Sequence, residues 1–364
     1  MSTARSTAVR GSSRTPRGSS RTPRGSSLSR PALALPAAAL VLVLSVGVAV
    51  TIGPADLALS EVGRSLANHL GLGGLLGLEP LSALRDGMVW QLRMPRILTA
   101  AAVGAGLAVC GAVMQSLTRN PLADPYLLGL SSGASLGAVL VLLAGVPLLL
   151  PVAAFAGAVG ALALALTLAG ALGTITPTRT VLAGLAISQL CAAAVSFVIF
   201  WSAKGDAFRE VLSWLMGSVA SATWTSVAIT GGAVLVLGTL LALTGSVLDA
   251  FTFGDTAAAA LGVPVNRARW VLLIGVALLT GALVSQSGSI GFVGLILPHA
   301  VRLFTGARHR LLLPLSALAG ASFLVWADTL ARTVFEPREL PVGIVTAAIG
   351  APVFAFLLWK GNHR

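Results

Sequence analysis

Apolar stretches without a charged residue recur along most of this chain. They occupy residues 31–55, 97–118, 125–178, 180–203, 211–248, 270–301, 311–327 and 340–359. A helix needs about 20 mostly apolar residues to cross the hydrocarbon layer. One charge at mid-bilayer costs about 2.5 to 3.5 kcal/mol on insertion scales. Each stretch is therefore interpreted as at least one membrane span.

Two of these stretches are long enough to hold two helices each. Residues 125–178 contain a break at 145–151, and residues 270–301 contain a turn near Ser287 and Gly288. The pattern then predicts about ten transmembrane helices.

Helices are the expected form of these spans. Inside a bilayer every backbone group must be paired within the protein, which leaves helices and closed barrels. Barrel strands alternate apolar and polar residues, and these stretches do not, so the predicted fold is an all-α, polytopic membrane protein. Gly133 and Gly137 form a GxxxG pair that permits close helix packing, although such a pair also arises by chance in a chain with 41 glycines.

The composition agrees with this interpretation. The chain is 56% hydrophobic and 10% charged, and its mean hydropathy is +0.91. A soluble domain carries roughly a quarter charged residues, so a soluble protein is excluded.

Residues 1–30 have a different character. From Arg10 to Ser26 the sequence reads RGSSRTPRGSSRTPRGS, a repeat that cannot bury a core. We predict a disordered cytoplasmic tail at 1–30 and a membrane domain at 31–360. The basic start lacks a convincing small-residue cleavage site, which argues against a secretory signal. An unselected extension or a misassigned start codon is the alternative to a functional tail.

The charges predict the orientation in the membrane. With ten spans and a cytoplasmic amino terminus, arginines and lysines gather in the inner loops, as the positive-inside rule requires. Most of the acids gather in the outer segments, at Asp56, Glu61, Glu79, Asp86, Asp206, Glu210, Glu336 and Glu339. We expect a multi-pass protein of the cytoplasmic membrane with both termini inside. The net charge of +12 then reflects orientation, and no nucleic-acid partner is expected.

The sequence lacks the usual signatures of catalysis. Neither lysine, Lys204 or Lys360, follows a glycine, so no GxxxxGK[ST] phosphate loop exists. The four histidines have no metal-ligand spacing, and no Ser/His/Asp arrangement can be recognised. Cys110 and Cys191 lie within predicted spans. We expect a non-enzyme without a metal site, and any ATP hydrolysis must occur on another chain.

A proton- or ion-coupled carrier is disfavoured by the scarcity of acids in the spans. Such carriers usually keep carboxylates within the membrane. Asp328 comes nearest, at the outer end of a span, where a helix cap or a salt bridge explains it.

Five segments carry a specific family resemblance. They are RMPRILTAAAVGAGLAVCGAVMQSLTRNPLADPYLLGLSSGASLG from Arg93, LAGLAISQL after Arg179, FGDTAAAALGVPVNRAR from Phe253, GFVGLILPHAVRLFTGARHRLLLP from Gly291 and ELPVGIVTAAIGAPVFAFLLWK from Glu339. Over about residues 35 to 360 the chain resembles the FecCD-type permeases of ATP-binding-cassette importers, which import siderophores, haem and cobalamin.

The resemblance implies a set of partners. It implies a ten-helix bundle like that of the cobalamin-importer permease, paired with a second permease subunit that is identical or paralogous. Two cytoplasmic ATPase subunits would bind ATP and magnesium, and an external binding protein would deliver the substrate. This chain itself would bind no cofactor.

The resemblance also implies docking residues for the binding protein. Arg93, Arg96 and Arg332 match positions where arginines receive its carboxylates. Guanidinium is always charged and pairs with carboxylate through two bonds. Interfacial snorkelling or contact with lipid headgroups is the alternative.

Inside the cell, the resemblance implies a coupling loop at 246–269. It places the ATPase contact at Gly254, Asp255, Ala258, Leu261, Gly262 and Val263, on a short amphipathic helix followed by a turn. It places an inner gate at Pro177 and Thr178, where Pro177 replaces the hydroxyl residue often found in the family. The segment 120–125 is expected to form a tight break between helices.

The expected function is therefore an importer permease that translocates an iron–siderophore complex or a similar chelate. Cobalamin and haem are the alternative substrates. A secondary carrier or channel predicts intramembrane acids, which are scarce, and a receptor or scaffold gives no reason for a coupling-type loop.

Overall fold

The computed structural model describes residues 29–146, 150–171, 176–202 and 206–361, and these ranges contain helices but no strand. The predicted tail at 1–30 lies outside the described residues apart from its last two positions, which begin the first helix. The all-α prediction is confirmed.

Fourteen α-helices follow one another along the described chain. They are α1 (Ser29–Thr51), α2 (Leu59–His69), α3 (Ala83–Thr118), α4 (Leu130–Leu143), α5 (Leu150–Ala171), α6 (Pro177–Ser202), α7 (Asp206–Leu215), α8 (Trp224–Leu243), α9 (Gly245–Thr252), α10 (Asp255–Ala260), α11 (Val265–Ser287), α12 (Val293–Thr305), α13 (His309–Thr333) and α14 (Val342–Gly361).

Ten of these helices are apolar enough to be membrane helices. Seven, namely α1, α3, α5, α6, α8, α11 and α13, are also long enough to span a bilayer by themselves, while α4, α12 and α14 are shorter. The sum matches the ten spans predicted from the sequence. The remaining helices, α2, α7, α9 and α10, are short connections that a count of apolar stretches does not find.

Both predicted breaks are present, but the bounds of one predicted span are wrong. Gly145 (φ 71°) follows α4, and Gly288 (φ 64°) follows α11. The stretch 211–248, interpreted as one span, is interrupted between α7 and α8. There Gly217 adopts φ 74° and packs so closely on Ser289 that a Cβ would collide with the Ser289 carbonyl. Hydropathy alone cannot reveal a turn made of apolar and small residues.

Helix α3 lies at the centre of the bundle, and nearly all of its residues from Met94 to Leu117 are buried. Close contact with its neighbours depends on glycine. A Cβ on Gly104 would collide with the backbone of Gly320 in α13, and a Cβ on Gly111 would collide with the backbone of Gly294 in α12. Small residues of this kind let membrane helices approach each other.

The GxxxG pair makes the same kind of contact. A Cβ on Gly133 would collide with the carbonyl of Gly157, and a Cβ on Gly137 with that of Ala153, so α4 packs directly on α5. The chance interpretation of this motif is therefore wrong.

Helices α3 and α13 run antiparallel, and each carries polar side chains at both ends. Arg96 of α3 bonds Asp328 of α13 at one end, and Ser116 bonds His309 at the other. We call these the arginine end and the histidine end of the bundle.

Candidate functional site

The arginine end is built around a buried ion pair. Arg96 donates through Nε to Asp328 Oδ2 (2.9 Å) and through Nη2 to Asp328 Oδ1 (2.9 Å). Its Nη1 donates to Glu339 Oε2 at 2.7 Å. Arg96 is 8% exposed and Asp328 is 1% exposed. Two parallel bonds satisfy both groups in a site with little water, which fixes their geometry. The salt bridge expected for Asp328 is confirmed.

Two further arginines tie α1 to this network. Arg93 donates to the carbonyls of Val50 (2.8 Å) and Ala55 (2.6 Å). Arg332 donates to the carbonyl of Ala49. The carbonyls at the end of a helix lack intrahelical partners, and arginine supplies donors for them.

The structure thus brings the three predicted docking arginines together. All three are buried and engaged by their own chain. Lipid-headgroup contact does not fit this burial. Docking of a binding protein stays a prediction, and it requires either Glu339 or the carbonyl partners to release a guanidinium.

Helix α2 covers the start of α3 beside this network. Glu61 pairs with Arg85, and Ser65 Oγ donates to Asp86 Oδ1 at 2.6 Å. The backbone N–H of Ala58, 2.9 Å from Glu61, and the Arg85 guanidinium hold the pKa of the Glu61 carboxyl below its usual value. These polar contacts fix α2 on the bundle.

A cavity of about 500 Å³ opens at the same end, between α7, the segment 216–223 and the end of α11. Its lining is rich in hydroxyl groups and includes Ser213, Ser218, Ser221, Thr223, Thr225, Ser226, Ser285 and Ser287. No local motif marks this cavity, because its walls come from distant parts of the chain.

The histidine end contains a Ser–His–Asp arrangement that the sequence did not reveal. His309 Nε2 lies 2.5 Å from Ser116 Oγ, and His309 Nδ1 lies 2.6 Å from Asp249 Oδ1. Asp249 Oδ1 also accepts the backbone N–H of His309 at 3.0 Å. Ser116 is 5% exposed and lies near the end of α3, and the arrangement joins α3, α9 and α13. Its members are 193 and 60 residues apart, which hides it from motif analysis.

The predicted coupling segment projects from this end. The range 246–269 is largely helical: it contains most of α9, all of α10 and the first turn of α11. Gly254 (φ 97°) precedes α10 and Gly262 (φ 83°) follows it, so both turns require glycine. Asp255 accepts a hydrogen bond from Arg269 at 2.8 Å, which fixes α10 to α11.

The apolar surface of this segment differs from the expected one. Ala258 is 0% exposed and packs inside its own chain, so it cannot contribute to a contact surface in this conformation. Val263 is partly buried against the core. Leu261 is 69% exposed and Phe253 is 78% exposed. Phe253, which was not among the predicted contact residues, therefore joins Leu261 as an exposed apolar side chain.

The predicted gate residues open α6. Pro177 is the first residue of this helix, a position where its missing N–H costs nothing. Thr178 is exposed. The preceding residues 172–175 lie outside the described part of the chain, and the gate role stays a prediction. The predicted break at 120–125 is confirmed: Asn120 and Asp124 accept hydrogen bonds from the N–H groups two residues further on.

Comparison with known proteins decides the family. The sequence model of the FecCD transport family matches residues 40–360, which cover nearly the whole described bundle. The chain belongs to the FecCD transport family. The resemblance recognised in the sequence is confirmed.

Individual relatives agree with this FecCD assignment. The chain is 45% identical to the vitamin B12 import system permease protein BtuC of Vibrio cholerae, over 80% of this chain and 88% of that protein. It is 40% identical to the Fe(3+)-citrate import system permease protein YfmD of Bacillus subtilis, over 76% and 82%. A solved metal-chelate type ABC transporter in an inward-facing conformation aligns with a TM-score of 0.79 and 32% identity, covering 90% of this chain and 98% of that one.

Proposed function

We propose that this chain is the permease subunit of an ATP-driven importer that moves an iron–siderophore complex, or a similar metal chelate, into the cell. The observation that carries the proposal is the FecCD family match across the bundle. The relative that imports Fe(3+)-citrate and the metal-chelate type transporter support a chelate as substrate. The hydroxyl-lined cavity offers groups that suit an oxygen-rich ligand.

Cobalamin is the second candidate substrate. The vitamin B12 permease is the more similar of the two relatives described above, at 45% identity against 40%. Both ligands are large metal chelates, and the selectivity is proposed to come mainly from the binding protein.

The partners follow from the same proposal. A second permease subunit would complete the translocation path, two ATPase subunits would supply ATP and magnesium sites, and a binding protein would deliver the chelate outside. The lack of a phosphate loop in this sequence supports separate ATPase chains. Residues 31–360 would form the permease domain.

The orientation is part of the proposal. Helix α1 ends beside Arg93, and α14 begins close after Glu339, which bonds Arg96. The far ends of both helices therefore point to the histidine end, where α10 also lies. If α10 meets the ATPases, both termini are cytoplasmic and the arginine end is external.

Cysteine labelling tests this orientation. A membrane-impermeant thiol reagent should label Leu76→Cys, near the arginine end, in intact cells, but should label Leu261→Cys only after the membrane is opened. Both native cysteines are buried, which keeps the background low. Labelling of Leu261→Cys from outside would reverse the proposed orientation.

Uptake measurements test the function. Cells that lack their own chelate importers would receive this chain with candidate ATPase and binding-protein subunits from the same organism, and uptake of radioactive ferric siderophore, cobalamin and haem would be compared. We expect ATP-dependent uptake of a ferric siderophore. Uptake of cobalamin alone would select the second candidate. Failure to move any chelate, although the complex assembles and hydrolyses ATP, would contradict the proposal.

A further inference from the structure

A second cavity lies at the histidine end, next to the Ser116–His309–Asp249 arrangement. Its volume is about 170 Å³, and its lining includes Gln115, Ser116, Arg119, Thr252, Arg302 and His309. A single water needs only about 10 to 15 Å³ of such space. The cavity therefore has room for a polyatomic group.

Arg302 is the unusual member of this lining. Its Nε and Nη2 atoms are buried and have no hydrogen-bond partner among the described residues. Arg96, by contrast, donates through Nε, Nη1 and Nη2 to Asp328 and Glu339. A buried guanidinium normally has its donors satisfied, so donors without partners in the chain are satisfied by water, by an ion or by a ligand. Two adjacent donors on one edge of a guanidinium match two oxygens of a carboxylate or a phosphate.

The charges around the cavity also favour an anion. Arg119 lines the cavity from the end of α3, and its guanidinium lies beside Gly254, which precedes α10. The helix α13 begins at the cavity, and a helix amino terminus carries partial positive charge. The nearby acids are already engaged, since Asp249 bonds His309 and Asp255 bonds Arg269.

Gln115 distinguishes between the possible anions. Its Nε2 donates to the carbonyl of Leu295 at 3.0 Å, which fixes the orientation of the amide, and its buried Oε1 has no partner among the described residues. A carboxylate offers only acceptors and would leave Oε1 unsatisfied. A hydrogen phosphate or phosphomonoester offers acceptors for Arg302 and an O–H donor for Gln115.

We propose that this cavity binds a phosphate group, held by Arg302 with Arg119 and His309 around it. The group comes either from free phosphate or from the phosphomonoester headgroup of phosphatidic acid, since basic pockets between membrane helices bind anionic headgroups. Bound there, it bridges α3, α12 and α13 beside the amino end of α10. The proposal does not depend on which substrate the chain transports.

The first experiment measures binding of inorganic phosphate. The full chain is purified in detergent, stripped of lipid and titrated calorimetrically with phosphate at constant ionic strength. We expect one phosphate per chain. Arg302→Gln should weaken binding by about tenfold or more, because it removes charge-assisted hydrogen bonds. Arg310→Gln removes the same charge from an exposed residue outside the cavity and should change the affinity less than about twofold.

The second experiment distinguishes the two sources. The variants are reconstituted in phosphatidylcholine vesicles with and without phosphatidic acid, re-extracted, and examined by native mass spectrometry. Phosphatidic acid retained by the wild type and by Arg310→Gln, but not by Arg302→Gln, identifies a lipid headgroup. Phosphate binding without lipid retention identifies the free ion.

Folding of the variants is checked by gel filtration and thermal unfolding. If Arg302→Gln does not fold, Arg119→Gln replaces it, because Arg119 is exposed and should also weaken binding. A wild-type chain that binds neither ligand, or variants that bind as the wild type does, would overturn the proposal.

Discussion

The arginine end and the histidine end of the bundle solve the problem of buried charge differently. At the arginine end, Arg96 is satisfied by Asp328 and Glu339 within the same chain. At the histidine end, Arg302 has buried donors without a described partner, and a cavity lies beside it. A guanidinium whose donors are paired within the chain stabilises the fold, whereas a guanidinium with unpaired donors beside a cavity can bind a ligand. Arg332 at the arginine end also has a buried Nε without a described partner, but its Nη2 donates to the Ala49 carbonyl, whereas Arg302 lines a cavity. The difference between the two ends therefore lies in the cavity beside Arg302.

The largest effect should come from disrupting the Arg96–Asp328 ion pair at the arginine end. Asp328→Ala leaves Arg96 buried without its bidentate partner, which should lower the free energy of unfolding by about 3 to 5 kcal/mol. Glu339→Ala is the control, since it removes the other carboxylate on the same guanidinium, but its side chain is 41% exposed. We expect a loss of about 1 kcal/mol or less for the control.

Denaturant titration of the detergent-solubilised variants measures both values. Equal losses for the two substitutions would mean that burial of Asp328 does not set the strength of the network. The two ends would then not differ in the way described above.

The second prediction concerns partner binding at the histidine end. Leu261→Asp would place an unpaired charge in the proposed contact with the ATPase and should weaken copurification of the ATPase by at least about tenfold. Leu76→Asp makes the same change at a similarly exposed leucine near the arginine end and should leave the ATPase bound. Because both leucines are exposed, neither change should alter the thermal stability of the isolated chain.

Quantitative pull-down with the purified ATPase, at matched permease levels, measures this difference. An ATPase that binds the Leu261→Asp chain normally would remove α10 from the coupling contact. The proposed roles of Gly254, Asp255, Gly262 and Val263 would be lost with it.

The sequence predicts the number of apolar helices well, because apolar length is a local property. It predicts the breaks at Gly145 and Gly288 for the same reason. It does not predict the break near Gly217, where an apolar stretch continues through a turn and the contact with Ser289 decides the conformation.

For the site residues, too, local motifs predict positions in the sequence but not the contacts that form on folding. The family motifs locate Arg93, Arg96 and Arg332, but not that all three are engaged by their own chain. Ser116, Asp249 and His309 meet only through folding, because they lie on α3, α9 and α13. Likewise, the pattern of α10 predicts a short helix, while the burial of Ala258 depends on packing against other elements. Long-range contacts of this kind leave no local signal in one sequence.

The smallest expected effect tests whether Glu339 can release Arg96 for docking of a binding protein. If carboxylates of a binding protein pair with Arg96, then Glu339 competes with them for Nη1. Glu339→Gln should release this competition and tighten binding of the binding protein by up to about fivefold, since one exposed charge pair contributes about 1 kcal/mol at most. Glu336→Gln removes the same charge from an exposed residue of the same loop, whereas the bond to Arg96 comes from Glu339, so this variant measures the general gain from removing an acid. Surface plasmon resonance with the permease in lipid nanodiscs can resolve a difference of this size.

Tighter binding by Glu339→Gln than by Glu336→Gln would support a docking role for Arg96. Equal effects would assign Arg96 to the stability of the bundle and leave docking to other groups at this end.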